Sequence, residues 1–127
     1  MRVTIIDDDR DVLDLFEDLF GSANGFETTV FAGALPGIHD LIRSAPDLMV
    51  VDLALAPERE ELTGLQVIHS ARSSAELRDV PIIVSYTSAR DLARAWPEFM
   101  ERGDIHRLEK PFDLETFQIV IDTALGR

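Results

Sequence analysis

Pro46-Asp47-Leu48-Met49-Val50-Val51-Asp52-Leu53 is the segment on which the architecture turns. Pro46 punctuates the chain, and Leu48 to Leu53 then reads as a strand, apolar at every position from Leu48 to Val51. A strand with one wet face alternates apolar and polar residues. A run with no alternation is apolar on both faces, as in a parallel sheet covered by helices on each side. The run ends on an acid, Asp52, which places a carboxylate at the carboxyl end of a buried strand.

The same logic extends in both directions. Val3 to Ile6 is a β-branched run bounded by acids, again a buried strand. Val12, Leu13, Leu15, Phe16, Leu19 and Phe20 follow at helical spacing; Asp9 or Asp11 can cap that helix and Gly21 can end it. Phe26 to Phe31 reads as a second strand after the turn-prone Asn24-Gly25, and Ile38, Leu41 and Ile42 mark a second helix. Beyond Asp52, Ala56 to Thr63 is a polar, acidic loop, and Leu65, Val67, Ile68 and Ala71 make a third helix. Pro81 opens a fourth strand, Ile82 to about Tyr86. A helix from Leu92 to about Met100 follows, with a disturbance expected at Pro97. Ile105 to Glu109 is a short fifth strand, and Leu114, Phe117, Ile119, Val120 and Ala124 mark the last helix. The order is β-α five times, so an α/β fold with a parallel sheet is expected. Right-handed crossovers leave few topologies, and ligands in such sheets bind beyond the carboxyl ends of the strands.

Composition fits one ordinary domain: 127 residues, 46% hydrophobic, with no repeat, low-complexity tract or linker. The absence of cysteine excludes disulfides, thiolate zinc sites and a cysteine nucleophile, and agrees with a cytoplasmic setting. The N-terminal apolar run is too short for a signal peptide, and no run approaches the roughly 20 apolar residues of a membrane span. A net charge of −12 argues against nucleic acid or an anionic membrane as the direct partner.

The strand ends carry the chemistry. The first ends in Asp7-Asp8-Asp9, the third in Asp52, the fourth in Ser85-Tyr86-Thr87, and the fifth in Lys110-Pro111. Helix capping accounts for an acid at Asp9 or Asp11, but not for Asp7 and Asp8 directly after an apolar strand. Clustered carboxylates repel one another, and a divalent cation resolves this. Mg²⁺ takes oxygen ligands, uses one or two carboxylates, and keeps waters that phosphate oxygens can displace. A nearby lysine and hydroxyl suit a phosphoryl group, and a central carboxylate can be the nucleophile.

Ile5-Ile6-Asp7-Asp8-Asp9, Pro46 to Leu53, and Lys110-Pro111-Phe112 together resemble the three signatures of the response-regulator receiver family, the CheY-like domains of two-component signalling. The resemblance covers essentially the whole chain. It implies one receiver domain over residues 1–127, a (βα)5 flavodoxin-like three-layer sandwich with strand order 2-1-3-4-5. It also implies that Asp7 and Asp8 hold Mg²⁺ and that Asp52 is both phosphoacceptor and metal ligand. The backbone carbonyl of Ala54 would be a further ligand, Lys110 would pair with the phosphoryl group, and the Lys110–Pro111 bond would be cis. The donor would be a histidine kinase or histidine phosphotransfer protein, and the readout a downstream protein or output domain. Such a domain is not an enzyme beyond its own phosphotransfer and slow dephosphorylation.

Three departures stand out. Members commonly have Pro four residues after the phosphoacceptor and Gly eight after it, whereas here Pro57 is five on and Gly64 twelve on. Glu58-Arg59-Glu60-Glu61 therefore looks like an insertion. The family's hydroxyl falls on Tyr86 if counted without gaps, and on Thr87 if one residue bulges; Ser85 is the other hydroxyl. Ser85 and Thr87 share a strand face and Tyr86 takes the opposite one; Thr87 is the preferred assignment. The switch position three residues before Lys110, usually aromatic, is Arg107, so either the switch differs or Tyr86 replaces the missing ring.

His39, His69 and His106 lie in different elements without metal-ligand spacing and read as surface residues. Trp96 and Phe99 read as packing residues or as an interaction surface, and Phe112 as core. The alternative function is a pseudo-receiver, a binding module independent of phosphorylation. A haloacid-dehalogenase-type phosphatase is disfavoured by length and by Asp11 where Thr is needed. An EF-hand fails because its sixth loop position is Val12 rather than Gly.

Overall fold

The computed structural model describes residues 1–21, 25–32, 35–54, 63–100 and 104–127, with backbone only at 98 and 100. Five strands, β1 (Arg2–Ile6), β2 (Glu27–Phe31), β3 (Leu48–Asp52), β4 (Ile82–Tyr86) and β5 (Ile105–Glu109), alternate with five helices. The helices are α1 (Arg10–Phe20), α2 (Ile38–Ser44), α3 (Thr63–Arg72), α4 (Ala89–Met100) and α5 (Leu114–Ala124). All strand pairs are parallel, in the order β2-β1-β3-β4-β5. The proposed insertion at 58–61, with Pro57, lies outside the described residues.

Every residue of β3 is buried, so its alternation supplies both halves of the core. Leu48 and Val50 join Val3, Ile5, Ile83 and Leu108 on one face, under Val12, Leu13 and Phe16 of α1 and Phe117 and Ile121 of α5. Met49 and Val51 join Ile6, Ile82 and Val84 on the other, under Leu41, Val67, Ile68, Leu92 and Phe99 of α2, α3 and α4. Asp7 continues the Val3–Ile5 series and Asp52 the Leu48–Val50 series. Ser85 continues from Ile83, and Lys110 from Leu108. The strand-end polar groups therefore stand on the α1/α5 side of the sheet, by the period of two alone.

Several boundaries differ from the sequence expectation. β2 starts at Glu27; Phe26 packs edge-on against Phe20, with ring centroids 4.9 Å apart. β3 ends at Asp52 rather than Leu53. α4 begins at Ala89, a turn before Leu92, where the Ser88 hydroxyl accepts from the Asp91 N–H at 3.2 Å. Its first turn is exposed and carries no apolar signal. Pro97 lies inside α4 without ending it. The ring forgoes one backbone bond, and the residue four back, Ala93, is exposed to water. On α5, Phe117 and Ile121 are buried, whereas Ile119 is 60% exposed. No helix among the described residues is long and apolar enough to cross a membrane.

Candidate functional site

Asp9 caps α1 by accepting from the Asp11 N–H at 3.0 Å. That leaves Asp7 and Asp8 of the acidic triplet for other work. Asp7 is almost wholly buried and accepts from the Asp9 N–H at 3.0 Å through Oδ1. Asp8 is exposed. One carboxylate oxygen each from Asp7, Asp8 and Asp52 lies within 4.8 Å of the others.

Lys110 completes the group. Its Nζ stands 2.9 Å from Asp7 Oδ2 and 3.2 Å from Asp52 Oδ2. Two contacts hold it there. Its backbone N–H donates to the Tyr86 carbonyl at 2.7 Å, and the following Lys110–Pro111 bond is cis. Phe112 then stacks on Phe16 at 6.0 Å and leans on Phe117 at 5.1 Å, which anchors the turn to α1 and α5. Phe112 is thus half-buried aromatic packing rather than full core.

One ammonium does not balance three carboxylates, and the burial of Asp7 sharpens the problem. Its pKa is raised from 3.8 to about 6, chiefly by desolvation and then by the Asp52 charge. Burial also works against the Lys110 ammonium, but Asp7 and Asp52 outweigh it and its pKa is raised. A surplus of hard oxygen donors at a buried strand end, with an adjacent exposed carboxylate, fits a divalent cation such as Mg²⁺. Ala54 follows in the turn after β3, its N–H donating to Asp52 Oδ1 at 3.3 Å.

The three hydroxyl candidates separate clearly. β4 pairs regularly with β3 as far as Asp52–Ser85 and with β5 as far as Tyr86–Glu109, so there is no bulge to draw Thr87 inward. Ser85 is fully buried beside Asp52, and its Oγ has no hydrogen-bond partner among the described residues. Tyr86 points to the opposite face and packs half-buried on the core under α4. Thr87 is exposed, one residue beyond the strand and level with Lys110.

Arg107 and Trp96 form a pair that spacing does not reveal. The guanidinium carbon lies 5.2 Å from the centre of the indole, joining β5 to α4. Trp96 is half-buried and meets Phe99 edge-on, while Phe99 is buried. His39, His69 and His106 sit on α2, α3 and β5, apart from the acidic group.

Residues 3–122 match the family model for the response regulator receiver domain. The chain is 30% identical over 133 residues to the polar-differentiation response regulator DivK of Brucella ovis, covering 98% of this chain and 95% of DivK. It is 30% identical over 115 residues to the response regulator MprA of Mycobacterium avium, where the match covers 91% of this chain. It spans less than half of that relative, 46% of its length. Among solved structures, chemotaxis response regulator CheY4 of Vibrio cholerae superposes with a TM-score of 0.78 at 19% identity, covering 98% of both chains. The receiver domain of sensor histidine kinase PA1611 from Pseudomonas aeruginosa, with a magnesium ion coordinated in its active-site cleft, gives 0.75 at 21%, covering 99% and 98%.

Proposed function

The chain belongs to the response regulator receiver domain family of two-component signalling, and from that premise we propose that residues 1–127 act as one phosphoacceptor switch centred on Asp52. The observation that carries this reading is the Lys110 ammonium bridging Asp7 and Asp52, with Asp8 adjacent. Receiver domains are signalling modules rather than classical enzymes, and they work with histidine kinases and downstream effectors.

Asp7, Asp8 and Asp52, with the Ala54 carbonyl, would hold Mg²⁺; the magnesium in the PA1611 receiver supports that choice. When bound, the cation supplies charge neutralisation for a phosphoryl group in transfer. An Asp52 carboxylate oxygen attacks phosphorus of a phosphohistidine on a kinase or phosphotransfer partner. The P–N bond breaks as the new P–O bond forms, and the imidazole leaves with the electron pair. Lys110 is released from part of its ion pairing and turns its charge to the phosphoryl oxygens. The regular ladder gives no bulge, so the family count does not reach Thr87; on its place alone, exposed and on the Lys110 face one step beyond the strand, Thr87 is the hydroxyl that donates to the same group. The added charge and acceptors then reorganise the segments after β3 and β4. The face of α4, β5 and α5 thereby changes its affinity for a downstream protein or output domain. The purely constitutive module is not favoured, because such a module has no need of an ammonium between two buried carboxylates.

Incubation with acetyl phosphate and Mg²⁺, read by intact-mass spectrometry, should add one phosphoryl group to the wild type and none to Asp52→Asn. Undiminished incorporation in that variant refutes the assignment.

A further inference from the structure

We propose that Gly64 is a positioning residue for Asp52: its bare backbone is the seat of the phosphoacceptor's peptide, and it isolates that seat from the length of segment 55–62. The inference rests on the phosphoacceptor reading. Gly64 is buried in the first turn of α3, next to the buried Thr63. A Cβ there would lie 2.8 Å from the Asp52 carbonyl carbon and 2.8 Å from the Leu53 Cα, and closer still to the Asp52 carbonyl oxygen. These are backbone atoms at the end of a strand buried on both faces, so they cannot swing aside as a side-chain tip would.

The contact is also fastened. The Gly64 N–H donates to the Leu53 carbonyl at 2.9 Å, and the Leu53 N–H donates to the Ser85 carbonyl at 2.9 Å. The start of α3 is thus tied to Leu53, the residue after β3, and through it to Ser85 of β4. Residues 55–62 leave from Ala54 and return at Thr63, on either side of this tie. Extra length there is added beyond the fastening, and the backbone of Asp52 is held by the same atoms whatever that length is. Ordinary van der Waals contact begins near 3.4 Å, so one methyl on Gly64 must displace the Asp52 carbonyl carbon and the Leu53 Cα by about 0.6 Å, and the Asp52 carbonyl oxygen by more. Sites that position reacting groups tolerate roughly 0.5 Å, and misplacement by about 1 Å can cost 10²-fold.

Two variants test this, each with two readouts. Gly64→Ala should keep its helical circular dichroism while phosphoryl uptake from acetyl phosphate falls by about 10- to 100-fold. In the same variant the amide resonance of Ala54, which donates to Asp52, should shift. Deletion of residues 58–61 should leave uptake within about twofold of wild type and the Ala54 resonance in place. A folded Gly64→Ala protein with wild-type uptake and an unmoved Ala54 resonance overturns the proposal. If Gly64→Ala does not fold, the deletion decides: a loss of more than tenfold, or a displaced Ala54 resonance, overturns it. A wild type that takes up no phosphoryl group defeats the phosphoacceptor reading instead, and the Ala54 resonances of both variants then judge the seat.

Discussion

Asp7 and Lys110, at the ends of the first and last strands, meet at 2.9 Å with both side chains nearly sealed from water. The pair spans the sheet through Asp52, which sits on the strand between β1 and β4. An ion pair in this position stabilises only while both partners are present, since removing one leaves a buried charge uncompensated.

Lys110→Met should therefore lose stability by about 3 kcal/mol or more at pH 8. The loss should be smaller at pH 5, where Asp7 can take up a proton instead. Urea midpoints at the two pH values give the comparison, and equal losses at both would contradict the ion-pair account.

The pH dependence of the wild type follows from Asp7. Its folded pKa of about 6 lies above the ordinary 3.8, so the folded state binds this proton more tightly than the unfolded chain does. The contribution is fully present below about pH 4 and is lost as pH rises through about 6. The loss is on the order of 3 kcal/mol, at about 1.4 kcal/mol per pKa unit. Millimolar Mg²⁺ should raise the melting temperature at pH 7.5 and do so far less at pH 5, where the proton competes for the same carboxylate. Thermal melts with and without the cation check both signs.

Ser85 and Thr87 are separable by substitution. Ser85 Oγ is buried without a partner among the described residues, so Ser85→Ala removes an unsatisfied group and should leave stability within about 1 kcal/mol or improve it. Thr87→Ala, at an exposed position, should leave stability unchanged and slow phosphoryl uptake several-fold. Uptake lost in Ser85→Ala and retained in Thr87→Ala would move the hydroxyl role to Ser85.

The face of each strand-end group was legible because a buried strand alternates without exception. Asp7, Asp52, Ser85 and Lys110 each extend an apolar series by two residues. Most elements were legible in their apolar runs; the exceptions are β2, whose Glu27–Phe31 is mostly polar and exposed and was marked by the turn before it, the first turn of α4, and Pro97, whose sequence meaning is a break. The hydroxyl assignment was not legible, because alternation gives the side of the sheet but not the depth along it. Gly64 was legible as the family's glycine shifted along the chain, but its close approach to Asp52 was not, because that depends on how α3 meets the end of β3. The Arg107–Trp96 pair depends on how α4 lies against β5, which no spacing encodes.

Cation–indole contacts at exposed sites are worth about 0.5–1 kcal/mol, so Arg107→Ala should cost no more than that globally. Its effect should concentrate between α4 and β5, as faster amide hydrogen exchange in Leu92–Trp96 with β1 and β3 unchanged. Uniform acceleration across the sheet would show that the pair does not act locally.

Trp96 is the chain's sole tryptophan, and a guanidinium lies across its ring. Excited at wavelengths that tyrosine does not absorb, the unlabelled protein therefore emits from a single lamp at the junction of the fourth helix and the last strand. Any rearrangement of that junction during signalling should be visible by eye of a fluorimeter, without a dye and without disturbing the carboxylates that start it.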